Sequence, residues 1–151
     1  MILGIGTDLV SLKRIQRVLD LYDNRFIEKI CHPDEISYLI QDISTSVIPA
    51  LTAKQSSIRG DPIISWHSKH IRFLASSFAV KEALAKACGT GFSQGLWFSQ
   101  ICVSRREEGA PYLTTSGPFE QYLRTLKVSK THVSVSYEKD FCHALVILED
   151  R

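Results

Sequence analysis

The sequence lacks paired cysteines. Its four, Cys31, Cys88, Cys102 and Cys142, include no C-x-x-C pair. That argues against a zinc or disulfide framework and leaves four reduced thiols inside a cell as the expectation. Long apolar runs are also missing. Nothing approaches the ~20 residues a membrane span needs, so no membrane association is expected. Met1 leads straight into ILGIGTDLV with no basic segment before it and with Asp8 inside it, which does not suit a secretory signal. The stretch SLKRIQRVL is basic and amphipathic, as a mitochondrial presequence can be, but an apolar strand at the very start ranks that second. Charge of one sign is absent too. Eighteen Lys and Arg face sixteen Asp and Glu, for a net charge of +2. No general nucleic-acid coat is expected, and any electrostatic partner must be found in local patches. There is no P-loop and no glycine-rich nucleotide fingerprint, so an ordinary ATP or NAD enzyme is not expected. No internal repeat is visible.

What is present suits one domain with a real core: 151 residues, 44% apolar and 23% charged. MILGIGTDLV reads as a strand broken by Gly4 and Gly6. Residues 11–22 read as a helix with Leu12, Ile15, Leu19 and Tyr22 on one stripe. HPDEISYLI has a helix start, with Pro33 in the first turn and Asp34 and Glu35 behind it. Residues 41–70 are rich in Ser, Thr, Pro and Gly without a sustained period, and read as an inserted loop. Residues 71–88 carry the longest helical pattern, with Gly89 as its C-cap. LWFSQICVSR and PYLTT, split by EEGA, predict a hairpin. Ser116 is expected to cap a helix with Pro118 at its start and an apolar stripe of Phe119, Tyr122, Leu123 and Leu126. THVSVSY alternates strictly and turns through EKD into FCHALVILE. Helices on a mainly antiparallel sheet make an α+β domain, taken as one unit over 1–151.

Two stretches can carry chemistry. Glu82 and Lys86 lie four apart on one helix face, which by itself is an ordinary solvated ion pair. Asp8 ends a glycine-broken strand. It either caps the following helix or presents a carboxylate in a cleft. Together they suggest more. Asp8 and Glu82 are hard oxygen ligands suited to Mg²⁺, and Lys86 and Lys81 can balance phosphate charge beside it. Such a set suits phosphoryl transfer.

GIGTD followed by RFLASSFAVKEALAKACGTG resembles the 4′-phosphopantetheinyl transferases, in particular the short holo-acyl-carrier-protein synthase type. The pattern is a glycine-rich G-x-D strand and then a W/F-x-x-KE-x-x-x-K helix. HVSVS resembles that family's closing hairpin, and the likeness covers most of the chain outside 41–70. The resemblance implies the 4′-phosphopantetheinyl transferase fold as a single half-unit that oligomerises, since the larger members build their site between two such halves. It implies transfer of 4′-phosphopantetheine from coenzyme A to a serine of an apo acyl carrier protein, in fatty acid biosynthesis or another pathway of lipid metabolism, with release of adenosine 3′,5′-bisphosphate. It makes Asp8 and Glu82 the Mg²⁺ ligands and Lys86 the phosphate partner. Lys81 and His132 become coenzyme A contacts, and Glu82 or a metal-held water the proton acceptor. Arg14, Arg17 and Arg25 become a grip on the acidic carrier, against the plainer reading that they keep the surface soluble. For His132 a structural role at a strand edge is the plain alternative. A homotrimer with sites between subunits is implied, in the cytoplasm, or in mitochondria for a eukaryotic source.

Three departures stand out. Ser77 occupies a position where many relatives have arginine, and Tyr137 replaces a second histidine. Residues 41–70 are longer than in typical bacterial members, as a functional cover or a tolerated insertion. His67 and His70 within them lack a third zinc ligand. The departures at Ser77 and Tyr137 also motivate an alternative, a coenzyme A or nucleotide binding module without transfer activity. A third reading, a small interaction protein with a plain helix ion pair, predicts no metal dependence.

Overall fold

A computed structural model describes residues 1–22, 24–43 and 68–151. Most of the expected insertion, His67 included, lies outside them. Its two ends are helical: residues 41–43 close one helix and 68–70 open the next. The order is β1 (Ile2–Ser11), α1 (Leu12–Tyr22), α2 (Asn24–Ile30), α3 (Pro33–Ile43), α4 (Ser68–Ala87), β2 (Ile101–Arg105), β3 (Pro111–Thr115), α5 (Gly117–Thr125), β4 (Lys130–Glu138) and β5 (Phe141–Glu149). The α+β expectation holds. β1, β5 and β4 form one antiparallel sheet with β5 in the centre, and β2 and β3 form a separate hairpin.

The sheet obeys the period of two. Cys142, Ala144, Val146 and Leu148 of β5 are buried on one face, and the residues between them are more exposed. α4 packs on that buried face, against β1 and β5. Its middle is buried almost all round, with Leu74, Ala75, Ala79, Val80, Ala83 and Leu84 wholly buried, as suits a helix at the centre of a domain. Its small residues let it lie close to β1. A Cβ on Gly6 would overlap the Ala83 carbonyl oxygen and come within 2.5 Å of the Ala87 nitrogen, and one on Gly4 would overlap the Ala87 carbonyl. The two glycines that break the strand pattern are therefore the seat of the central helix.

Helix ends explain most differences from the expected boundaries. Ser11, the last residue of β1, accepts the Arg14 N–H through its hydroxyl at 3.3 Å and so caps α1. Asp8 is left free of that task. α4 stops where expected, with Gly89 at φ +76° and its N–H on the Lys86 carbonyl. Ser116 sits at the N-cap of α5 in extended backbone, but its hydroxyl donates to the Gln100 carbonyl instead of capping the helix. Strand β2 begins later than LWFSQICVSR suggests, because residues Phe98–Gln100 make a 3₁₀ turn. The turn between β4 and β5 needs only Lys139 and Asp140, with Lys139 at φ +48°. All four cysteines are free. Burial pushes the Cys31 thiol up to about 12 and that of Cys88 up to about 11, so both stay protonated and unreactive.

Candidate functional site

β1 and α4 bring the two separate motifs together. Strand alternation turns Asp8 to the α4 side of the sheet along with Gly6 and Val10, while Ile5, Thr7 and Leu9 face the other way. Lys86, in the last turn of α4, donates to Asp8 Oδ1 at 2.6 Å and to the Thr7 carbonyl at 3.0 Å. These partners lie 78 residues apart in sequence. The i,i+4 pair of Glu82 and Lys86 expected from spacing alone is not what forms: Lys86 turns to Asp8.

Glu82 is left half-buried beside them. Burial and then the facing Asp8 carboxylate push its carboxyl above the ordinary range, and Lys86 and Arg14 pull the other way. Two carboxylates that repel one another, with one partly desolvated, make a place that favours added positive charge. Their oxygens are the donors a hard divalent cation takes. Arg14 is exposed on α1 and close enough to act on Glu82. Arg17 follows one turn later on the same helix, and Arg25 is exposed on α2.

Lys81 is a correction. Its side chain has 0% exposure, and its ammonium donates to the Ile30 carbonyl at 2.6 Å and to Glu35 at 2.5 Å. A charge so enclosed must be paired, and it is not presented to a ligand on the surface. Its neighbour Glu82 escapes because the helix turns by about 100° per residue. Glu35 is the functional candidate that sequence reasoning missed. Its place behind Pro33 suggested only a first-turn acid, yet it is 2% exposed. Ser77, the first of the expected departures, is buried and donates to Glu35 Oε1 at 2.6 Å. Tyr137, the other departure, donates to the Arg72 carbonyl at 3.0 Å under the Arg72 guanidinium.

His132 stands apart from this group. It is on the exposed face of β4, where its Nε2 lies 2.7 Å from Glu149 Oε2, and that bond holds the Glu149 carboxyl below its usual range. In register it pairs with Ile147, on the face opposite Asp8. Within one chain it does not reach Glu82.

Two other features lie elsewhere. A cavity of about 360 Å³ opens between α3, α4 and the β2–β3 hairpin, lined by Tyr38, Phe73, Ser77 and Arg105 among others. It includes none of Asp8, Glu82 and Lys86. His32, Asp34 and Cys102 come near one another, but His32 Nδ1 already accepts the Asp34 N–H and burial holds the Cys102 thiol protonated. The His32 ring is thus read as a cap on α3.

A family model described as the 4′-phosphopantetheinyl transferase superfamily matches residues 4–146. A holo-[acyl-carrier-protein] synthase of Maridesulfovibrio salexigens is 35% identical over 149 residues, covering 99% of each chain. Residues 41–70 thus fall within a length shared with that bacterial relative. The crystal structure of holo-[acyl-carrier-protein] synthase from Neisseria meningitidis superposes with a TM-score of 0.78 at 31% identity, over 99% of this chain and 100% of that one. A holo-(acyl-carrier-protein) synthase from Bacillus anthracis in complex with CoA (3′,5′-ADP) superposes at 0.68, with 29% identity, over 100% of this chain and 99% of that one.

Proposed function

Since this chain belongs to the 4′-phosphopantetheinyl transferase superfamily, we propose that it moves the phosphopantetheine arm of coenzyme A onto a serine of an apo acyl carrier protein at a site built on Asp8, Glu82 and Lys86. The observation that carries the assignment is the convergence of these three side chains from β1 and α4, with Lys86 bonded to Asp8 and Glu82 open beside it. The serine oxygen attacks the pyrophosphate phosphorus that bears the arm. A new phosphoester forms, the bond to the leaving phosphate breaks, and adenosine 3′,5′-bisphosphate departs. Glu82, or a water held beside it at the metal site, takes the serine proton. Lys86 balances the charge that grows on the leaving phosphate. Asp8 and Glu82 are the residues that would hold Mg²⁺, which neutralises pyrophosphate oxygens and polarises the attacked phosphorus. Arg14, Arg17 and Arg25 form a basic rim from α1 to α2 for an acidic carrier. The reaction belongs to lipid metabolism, with fatty acid biosynthesis the pathway we favour. The packing roles of Ser77 and Tyr137 remove the motive for a binding module without transfer activity.

The sign of the Glu82 shift gives a measurable consequence. A carboxyl raised above its unfolded value costs stability while ionised, and the cost fades as pH falls through its folded-state value. A bound cation needs the ionised form. Added Mg²⁺ should therefore raise Tm, and the rise should shrink as pH falls into the range where Glu82 takes its proton. Thermal shifts across a pH series measure this. Glu82→Gln should raise the metal-free Tm slightly and lose most of the metal response. An unchanged response in that variant would remove Glu82 from the metal site.

We further propose that the site is completed by other copies of the chain, as a homotrimer. The face of the sheet opposite α4 carries Ile5, Leu9 and Phe141 at 57%, 63% and 47% exposure, a run of apolar surface that a monomer rarely leaves open. His132 lies on that same face, so seating a second copy there is what allows it to meet coenzyme A in a neighbour's site. Leu9→Lys should leave the single chain folded, lower the mass seen by light scattering to that of a monomer, and reduce transfer at least about a hundredfold, since the site would be incomplete. A monomeric variant of full activity would defeat this assembly. Among the described residues no helix is long and apolar enough to cross a membrane, and we place the enzyme in the cytoplasm with its carrier.

A further inference from the structure

We infer that Glu35 is a positioning residue for the transfer reaction, acting through Lys81 to fix the setting of α4 and with it Glu82. The inference rests on the proposed site at Asp8 and Glu82. Glu35 Oε2 accepts the Lys81 ammonium at 2.5 Å and the His32 N–H at 2.8 Å. Its Oε1 accepts the Ser77 hydroxyl at 2.6 Å and the Val103 N–H at 3.0 Å. Lys81 also donates to the Ile30 carbonyl. One carboxylate thus joins the start of α3, two turns of α4 and strand β2, and its ammonium partner adds the end of α2.

The need for such a device follows from what α4 is made of. Of its eleven buried residues four are alanine and three, Leu74, Val80 and Leu84, are larger and apolar, and apolar contacts carry little direction. They resist separation better than they resist turning or sliding. Hydrogen bonds do have direction, and two from α4, donated by Ser77 and Lys81 to a carboxylate that the His32 and Val103 N–H groups hold in place, define the rotation and axial position of the helix. On the far side the helix meets Gly4 and Gly6 of β1 with no clearance. It is therefore held between a close backbone contact and a polar lock. Lys81 and Glu82 are consecutive residues of one rigid helix, so any turn permitted at Lys81 displaces Glu82 from Asp8. Misplacement by about 1 Å costs on the order of a hundredfold in rate.

Removing Glu35 alone would strand a buried ammonium and risks unfolding the chain. Replacing both partners by apolar residues of similar length avoids this, because a buried ion pair exchanged whole is often tolerated. In E35M/K81M, well below its Tm, kcat should fall roughly ten- to a hundredfold with KM for the carrier unchanged. The Mg²⁺-induced rise in Tm should also shrink, a readout independent of turnover. A folded double variant with wild-type kcat and a wild-type metal response would show that the network only stabilises, and would overturn the inference. If the double variant does not fold, Ser77→Ala decides. It removes one α4 bond and keeps the ion pair, so kcat should drop severalfold at little change in Tm, and an unchanged kcat overturns the proposal. Glu82→Ala, assayed in parallel, separates the two ideas: an active E82A removes the site itself, whereas an inactive E82A with a normal double variant removes only the role of Glu35.

Discussion

Glu82→Ala should lower phosphopantetheine transfer by at least about a thousandfold, because one side chain serves both as proton acceptor and as half of the cation site. The readout is the mass of an apo carrier incubated with coenzyme A and Mg²⁺: the arm appears with the wild type and not with the variant. The fold should survive. Glu82 is only half-buried, and its ionised form is opposed by burial and by Asp8, so the alanine variant should melt no lower than the wild type without metal. Lys86→Met should lose less, on the order of a hundredfold. It removes the charge that steadies the leaving phosphate but leaves both carboxylates, and it frees Asp8 Oδ1. A fully active Glu82→Ala protein would sink the assignment of the site.

Gly6→Ala should be among the most damaging single-methyl additions in the chain. The new Cβ has no room, since the atoms it meets, Ala83 O and Ala87 N, belong to the backbone of the central helix. No side chain can swing aside to receive it. Either β1 or α4 must move, at a cost of about 3 kcal/mol or more, which for a chain of this length lowers Tm by roughly 10 °C. Activity should fall further than stability, because the displaced surface is the one that sets Asp8 against Glu82. Gly109→Ala is the control. Gly109 sits at φ +88° in the β2–β3 turn with open space where a Cβ would go, so only backbone strain of about 1 kcal/mol applies. Chemical denaturation and the transfer assay, run on both variants, measure the contrast. Equal midpoints for the two would mean that close helix–strand contact is not what Gly6 provides.

Sequence alone made the local features legible. Strict alternation in HVSVS and in FCHALVILE defines a buried and an exposed face by the geometry of a strand, whatever packs against it. The long pattern ending at Gly89 defines α4 and its stop for equally local reasons. The pairing of GIGTD with FAVKEALAK pointed to Asp8, Glu82 and Lys86, because those residue types at those spacings suit a metal and a phosphate.

Partner choice was a different matter. Spacing offered Lys86 to Glu82, one turn away, and the fold gave it to Asp8. Lys81 looked like a second surface cation beside the site, and the fold enclosed it with Glu35 and the Ile30 carbonyl. Ser77 looked like the loss of a ligand contact, and it is bonded to that same carboxylate. The physical reason is common to all three. A polar or charged side chain pairs according to which segments meet and how much water they exclude, and neither quantity is local. Repeating apolar pattern determined the strands and helices of this protein, and two separated motifs pointed to Asp8, Glu82 and Lys86. Only the seating of α4 on the glycines of β1, with α3 behind it, decided which lysine meets Asp8 at the surface and which one is enclosed with Glu35.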